Sequence, residues 1–280
     1  MNAPETRRSA LESAEPYVVA TRDQRGVVTL MLNRPQQFNA LSEEMMAALK
    51  AELVAIAADS SARVVVIAGQ GKAFCPGHDL KQMKARPELA YYQRLFAQCV
   101  TLMMSIQQLP VPVIARVHGI ATAAGCQLVA MCDLAVAASE AKFAVSGINV
   151  GLFCSTPAVA LSRNIGRKEA FEMLVTGEFI DAETARQRGL VNRVVPAAEL
   201  DAEIEKLVAS ILTKPASALA MGKQLFYRQL ESGIEAAYQL AGQTMACNMI
   251  DPVAQEGVQA FMEKRAPQWD ALGVDAKRER

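Results

Sequence analysis

Hydrophobic positions along the chain follow two rhythms, and past residue 196 the helical one takes over almost completely. "YVVAT" and "GVVTLMLN" are rich in β-branched residues and are separated by the turn-forming "RDQRG", which predicts a hairpin. In "LSEEMMAALKAELVAIAAD", Met45, Leu49, Leu53 and Ile56 recur at helical spacing. Ser42 stands as N-cap, with Glu43 and Glu44 in the first turn, where carboxylates meet the positive end of the helix dipole. "ARVVVIAG" is a continuous apolar run, the mark of a buried strand. The loop "QGKAFCPGHDL" then leads to a helix from about Asp79 and another over roughly 91–109. A strand "VPVIARV", a short helix "AGCQLVAMC" and a strand "DLAVAA" follow.

Strand–helix alternation recurs three times before about residue 150, which predicts an α/β fold with mainly parallel strands. "DAETARQRGL" reads as a helix ended by Gly189, and "VNRVVP" as a single short strand. After Pro196 come three successive helices, "AELDAEIEKLVASILTK", "PASALAMGKQLFYRQL" and "GIEAAYQLAGQTMACNMI". The expected organisation is a disordered arm over 1–15, a core over 16–196, a helical region over 197–270 and a tail over 271–280.

Composition narrows the chemistry. Of 280 residues, 51% are hydrophobic and only 5% aromatic, so a large core must be aliphatic. Lys plus Arg and Asp plus Glu are both 29, a balance that points away from nucleic acid and anionic membranes and leaves self-association open. No apolar run approaches the roughly 20 residues needed to span a bilayer. Two histidines are too few for a His-rich metal site, and no metal is expected. The six cysteines form no C-x-x-C pair, and Cys126, Cys132 and Cys154 lie among small apolar residues, so buried free thiols are expected. "MNAPETRRSALESAEP" has two arginines, three glutamates and no apolar stretch, which predicts a cytoplasmic protein.

Candidate chemistry sits in two glycine-punctuated turns, "KAFCPGHDL" and "HGIATAAGCQLVAMCD". Each follows a buried strand and carries small residues that let backbone N–H groups approach a ligand. Two such donors converging on one carbonyl oxygen would form an oxyanion hole. Two ordinary strand-to-helix turns account for the same letters.

Those segments, with "PVPVIARV" before the second, "GLVNRVVP" and the terminal "EGVQAFMEKRAP", resemble the enoyl-CoA hydratase/isomerase (crotonase) superfamily over residues 16–269. Within it, "GHDL", "ATAAGCQLVA" and "GLFCSTP" are similar to the enoyl-CoA hydratase domain-containing protein 3 subgroup. The resemblance implies a spiral of ββα repeats and a C-terminal helical region that forms trimers, often paired into hexamers. It implies an acyl-CoA thioester as partner, with coenzyme A as part of the substrate and no permanently bound cofactor. By the same resemblance, the oxyanion hole would be the N–H groups of His78 and Ala124, the latter standing where the family commonly has Gly. Phe38, Ala40, Pro76 and Gly77 would lie along the coenzyme, Lys72 and Lys81 would meet its phosphates, and Phe261 and Lys264 match a C-terminal element that often reaches a ligand.

The sequence departs from the family where a two-glutamate hydratase carries its acids: Gln127 and Gly147 occupy those positions. Gln127 can orient a water but cannot gain or lose a proton, and Gly147 has no side chain. The implied activity is that of an enoyl-CoA hydratase, a lyase of fatty-acid metabolism, with hydration impaired. The rivals are another enolate-stabilised reaction (isomerisation, decarboxylation or thioester hydrolysis) and non-catalytic acyl-CoA binding. As substitutes, Asp79 reads both as an acid near the hole and as an N-cap reciprocated by Gln82, and His78 has a suitable intrinsic pKa. Asn149 is a candidate water-orienting partner for Gln127. Cys154, Ser155 and Thr156 lie over the implied acyl pocket without a visible base, while His118 and Asp133 read as structural.

Overall fold

The structure, a computed structural model, describes residues 15–269; the expected tail and all but the last residue of the expected N-terminal arm lie outside that range. The chain opens with the hairpin β1 (Val18–Arg22) and β2 (Val27–Leu32), followed by α1 (Glu43–Ala57). Ser42 caps α1 by accepting the Met45 N–H, and Met45, Leu49, Leu53 and Ile56 are all buried, as their spacing predicts. Next come β3 (Val64–Gly69), β4 (Ala73–Cys75), α2 (Leu80–Ala85) and α3 (Leu89–Gln108), then β5 (Val113–Val117), β6 (Ile120–Thr122) and α4 (Ala124–Met131). A third round gives β7 (Leu134–Ala138), β8 (Lys142–Ala144), α5 (Ser155–Leu161) and α6 (Arg167–Thr176). β9 (Ile180–Asp181), α7 (Ala182–Gln187) and β10 (Arg193–Val195) close the sheets. The C-terminal helices are α8 (Leu200–Leu212), α9 (Ala216–Leu230), α10 (Ile234–Met249) and α11 (Pro252–Met262).

The strands form two sheets, ordered β1-β2-β3-β5-β7-β10 and β4-β6-β8-β9. Each round sends one strand into the large sheet, one into the small sheet, and then turns into helix. Successive rounds therefore stack in parallel, β3 on β5 on β7 and β4 on β6 on β8, which is a ββα spiral. The small-sheet strands have only two or three residues, too few to leave a periodic signal in the sequence.

β3 is buried along its whole length because both of its faces are covered. Val65 and Ile67 join the main core with α1 and α3. Val64 and Val66 face the other way, onto Leu200, Ile204 and Val208 of α8. Burying such side chains stabilises by roughly 1.5–3 kcal/mol each, so α8 belongs to the sheet physically although it follows Pro196. α9 and α10 differ: neither contains a buried residue.

Candidate active site

The end of β4 and the end of β6 lie side by side, because Cys75 and Ala121 are parallel partners. The chain leaving β4 turns through Gly77, at φ +99°. A Cβ there would fall 2.9 Å from Ala123 Cβ and 3.0 Å from the Ala124 nitrogen, so only glycine permits this approach. Gly125 is pressed against β4 in the same way: a Cβ on it would lie 2.0 Å from the Cys75 carbonyl oxygen. Between these glycines, Ala123 takes φ +50° and ψ −122°, a conformation that costs a non-glycine residue roughly 1–3 kcal/mol. Its N–H is tied to the Ala144 carbonyl at 3.0 Å, and its carbonyl receives the Gln127 N–H at 3.0 Å.

Two backbone donors are left over. Ala124 is the first residue of α4, so its N–H has no partner within the helix. Neither that N–H nor the one of His78 meets an acceptor among the described residues. Both residues line one cavity of about 600 Å³. Its other walls come from the 36–40 loop, α2, Phe96 of α3, and the segment from Ser146 to Pro157.

The side chain of His78 is fixed by a 3.3 Å hydrogen bond from Nδ1 to the Leu41 carbonyl and by an edge-on contact with Phe96 at 5.6 Å. Burial holds its pKa below the ordinary imidazole value, so the ring is neutral near pH 7. Its Nε2 is buried without a partner. Asp79 is the sole carboxylate among the lining residues. It caps α2, accepting the N–H groups of Lys81 at 2.8 Å and Gln82 at 3.1 Å. The expected reciprocal bond from Gln82 is replaced: its Oε1 instead accepts the Glu43 N–H at the start of α1.

Gln127 is 4% exposed, its Oε1 has no partner, and it is absent from the cavity wall. Gly147 does line the cavity, yet it has no room for a side chain. A Cβ would come within 2.5 Å of the Leu152 carbonyl oxygen and 2.7 Å of Cys154 Sγ. The loop holds itself in this position through the Leu152 N–H to Gly147 carbonyl bond at 3.0 Å. Cys154 thus fills the volume into which an acid at 147 would project. Its thiol is raised above the usual range by burial, against a hydrogen bond from the Gly147 backbone.

Other expected residues distribute unevenly. Phe38, Ala40, Pro76 and Lys81 line the cavity, as do Ser155 and Thr156. Gly77 shapes the turn without lining the wall, and Lys72 lies outside it. Phe261, 85% exposed, and Lys264, just beyond α11, are also outside it. Asn149 does not meet Gln127; its Nδ2 donates to the Gly177 carbonyl at 3.3 Å, at the end of α6. His118 Nε2 bonds the Gly71 carbonyl at 2.9 Å, a structural tie. All six cysteines are free and five are buried.

One organising residue escaped the sequence reading. Asn39 is fully buried and donates from Nδ2 to the carbonyls of Gln70 and Ala73, both at 2.9 Å. Its Oδ1 accepts the Arg34 N–H at 3.0 Å, which fastens the 34–41 loop at the cavity mouth to β4. Phe38 and Asn39 both have positive φ, and an Asn in a short loop is the signal that could have found this.

A family model described as enoyl-CoA hydratase/isomerase matches residues 22–272. The chain belongs to the enoyl-CoA hydratase/isomerase family. A solved structure described as enoyl-CoA hydratase from Mycobacterium smegmatis shares 67% identity, with a TM-score of 0.91, covering 91% of this chain and 100% of that one. The structure of human enoyl coenzyme A hydratase domain-containing protein 3 shares 43%, with a TM-score of 0.87, covering 90% and 100%. The rat protein named enoyl-CoA hydratase domain-containing protein 3, mitochondrial, is 43% identical over 95% of this chain and 89% of its own length. These similarities bear out the crotonase fold and the subgroup that the turn segments resemble. They overturn the expectation of a cytoplasmic protein: that rested on N-terminal composition alone, whereas the rat family member is named as mitochondrial.

Proposed function

We propose that this chain binds acyl-CoA thioesters in the cavity beside His78 and Ala124 and polarises the thioester carbonyl, without efficient two-carboxylate hydration. The observation that carries this reading is the pair of unpartnered N–H groups on a cavity wall whose sole carboxylate, Asp79, is engaged as a helix cap. Such donors stabilise an enolate oxygen best when they are already in place and shielded from water. A bound thioester would run outward past Pro76, Phe38 and Ala40, with Lys81 toward the coenzyme phosphates.

The proton-handling half of hydration is missing. General acid–base assistance is worth roughly 10²–10⁴-fold per positioned group. Here Gln127 cannot titrate, and the space at Gly147 is taken by Cys154 and the Leu152 carbonyl. Replacing both residues by Glu is therefore not a simple restoration, since the loop at 152 would have to move. Lysis and isomerisation both require a proton carrier at the substrate. Asp79 is engaged as a cap, and His78 has Nδ1 tied to the Leu41 carbonyl and Nε2 buried, so binding with carbonyl polarisation is the function best supported. Phe261 and Lys264 would reach a ligand only from another copy, and we include a trimer or a pair of trimers in the proposal.

Calorimetric titration with butyryl-CoA tests the first part, and crotonyl-CoA turnover the second. Binding with turnover at least about 10²-fold below that of a two-glutamate hydratase is the expected result. No binding to the folded protein would overturn the reading, and full-rate hydration would overturn its second half.

A further inference from the structure

The cavity that holds Ala124 also carries a hydroxyl pair with no part in the proposed carbonyl polarisation. Ser146 lines the cavity, and its Oγ lies 2.8 Å from Thr122 Oγ1. Thr122 is only 9% exposed, and Ser146 is the one hydrogen-bond partner of its hydroxyl among the described residues. Either hydroxyl can donate across this contact, and the burial of Thr122 favours one direction. If Ser146 donated, the Thr122 proton would be left buried and unpaired, which is the costly arrangement. Thr122 therefore donates to Ser146, and the Ser146 O–H is free to donate to a ligand in the cavity.

The strand register says where that donor stands. β6 and β8 are parallel, with Thr122 opposite Ala144. Two residues beyond that pair come Ala124 and Ser146, and both line the cavity. A ligand whose carbonyl oxygen meets the Ala124 N–H would thus find a second donor on the lining of the same cavity. Two oxygens in a 1,3 relation along an acyl chain suit such a pair of donors. Leu152, Phe153 and Pro157 line the same cavity with apolar side chains.

We propose that Ser146, oriented by Thr122, is a specificity-determining donor that selects acyl thioesters bearing a carbonyl oxygen at C3. This rests on the acyl-CoA reading of the cavity. It goes further in naming a substrate class: a 3-oxoacyl thioester accepts from both donors, whereas an unsubstituted chain leaves the Ser146 proton unpaired.

The test is calorimetric titration of the full chain with acetoacetyl-CoA and butyryl-CoA, read as the ratio of the two affinities. The parent protein should favour acetoacetyl-CoA, and Ser146→Ala should lower that ratio roughly three- to tenfold, the worth of one neutral hydrogen bond. Ser146→Thr, which keeps the hydroxyl, should restore most of it. Thr122→Val should lower the ratio less, since the Ser146 hydroxyl survives without its orienting partner. A merely structural Ser146 would weaken both ligands together and leave the ratio unchanged, which overturns the proposal. Tight butyryl-CoA binding with no preference in the parent also overturns it while sparing the acyl-CoA reading. Failure of both ligands to bind the folded parent removes both.

Discussion

The spiral and the α9–α10 hairpin are built from similarly apolar sequence, yet they end in opposite states. In the spiral, β3 is buried along its whole length and Met45, Leu49 and Ile67 are fully enclosed. In the hairpin no residue of either helix is buried, and Ile234 and Tyr238 remain 78% and 74% exposed. The hairpin is held to the spiral by a polar pin. Lys223 of α9 donates to Asp133 Oδ2 at 2.6 Å and to the carbonyls of Ile106 and Val111, both at 3.0 Å, while Tyr227 donates to Asp133 Oδ1 at 2.7 Å. Asp133 also accepts the Val113 N–H at the start of β5. Burial pushes the Asp133 pKa up and the Lys223 pKa down, each opposed by the partner's charge. The contrast shows that apolar content does not by itself make a core; a face must also find a complementary face within the same chain. The hairpin's exposed apolar surface is the face that the proposed self-association would cover.

The largest expected effect comes from breaking the pin. Lys223→Met leaves the Asp133 carboxylate buried without its counter-charge, a loss of about 3–5 kcal/mol. Urea unfolding should show it, and limited proteolysis should cut first around α9. Losses well under 1 kcal/mol would mean that the hairpin is held by something else.

Within the spiral, Gly125→Ala forces a methyl group into the Cys75 carbonyl. Overpacking of this kind costs roughly 1–3 kcal/mol. It should also push α4 away from β4, so acyl-CoA affinity should fall more than stability alone explains. A variant as stable and as tightly binding as the parent would show that the two turns need no such contact.

Acid should distinguish the two regions next. His78 and His118 both belong to the spiral, and burial holds both below the ordinary value of 6.5. The unfolded chain therefore takes up more protons than the folded one just below that pH. The stabilising contribution is complete above 6.5 and is lost as pH falls through the folded-state values. Unfolding midpoints measured on either side of pH 6.5 should differ, and His78→Gln with His118→Gln should flatten the difference.

The smallest effect on stability belongs to the hairpin surface. Ile234→Lys with Tyr238→Lys should shift the monomer's stability by no more than about 0.5 kcal/mol, as exposed substitutions do. Light scattering should nevertheless show loss of self-association. Unchanged assembly would place the interface on another face.

Long elements were readable from letters alone. The spacing of Met45, Leu49, Leu53 and Ile56, the Ser42 cap and the run at β3 each report their surroundings locally, because an element of several turns or strand residues repeats its signal. The two turns around His78 and Ala124 were also marked, by the small residues that close approach demands. β4, β6, β8 and β9 were not, since two or three residues carry no period. Asn39, buried at the cavity mouth, looked like any loop residue until the carbonyls of Gln70 and Ala73 were seen around it.

What the sequence determined by itself was the supply of chemistry: which side chains can titrate, where glycine frees the backbone, and that Gln127 and Gly147 cannot move a proton. Only the tertiary structure decided how that supply is used. It set two free N–H groups beside one cavity, engaged Asp79 as a cap, gave the space beside Gly147 to Cys154, and joined Lys223 to Asp133 across 90 residues. The physical reason is that helical and strand periodicity is written in neighbouring residues, whereas desolvation, hydrogen-bond satisfaction and free volume depend on residues that only folding makes neighbours.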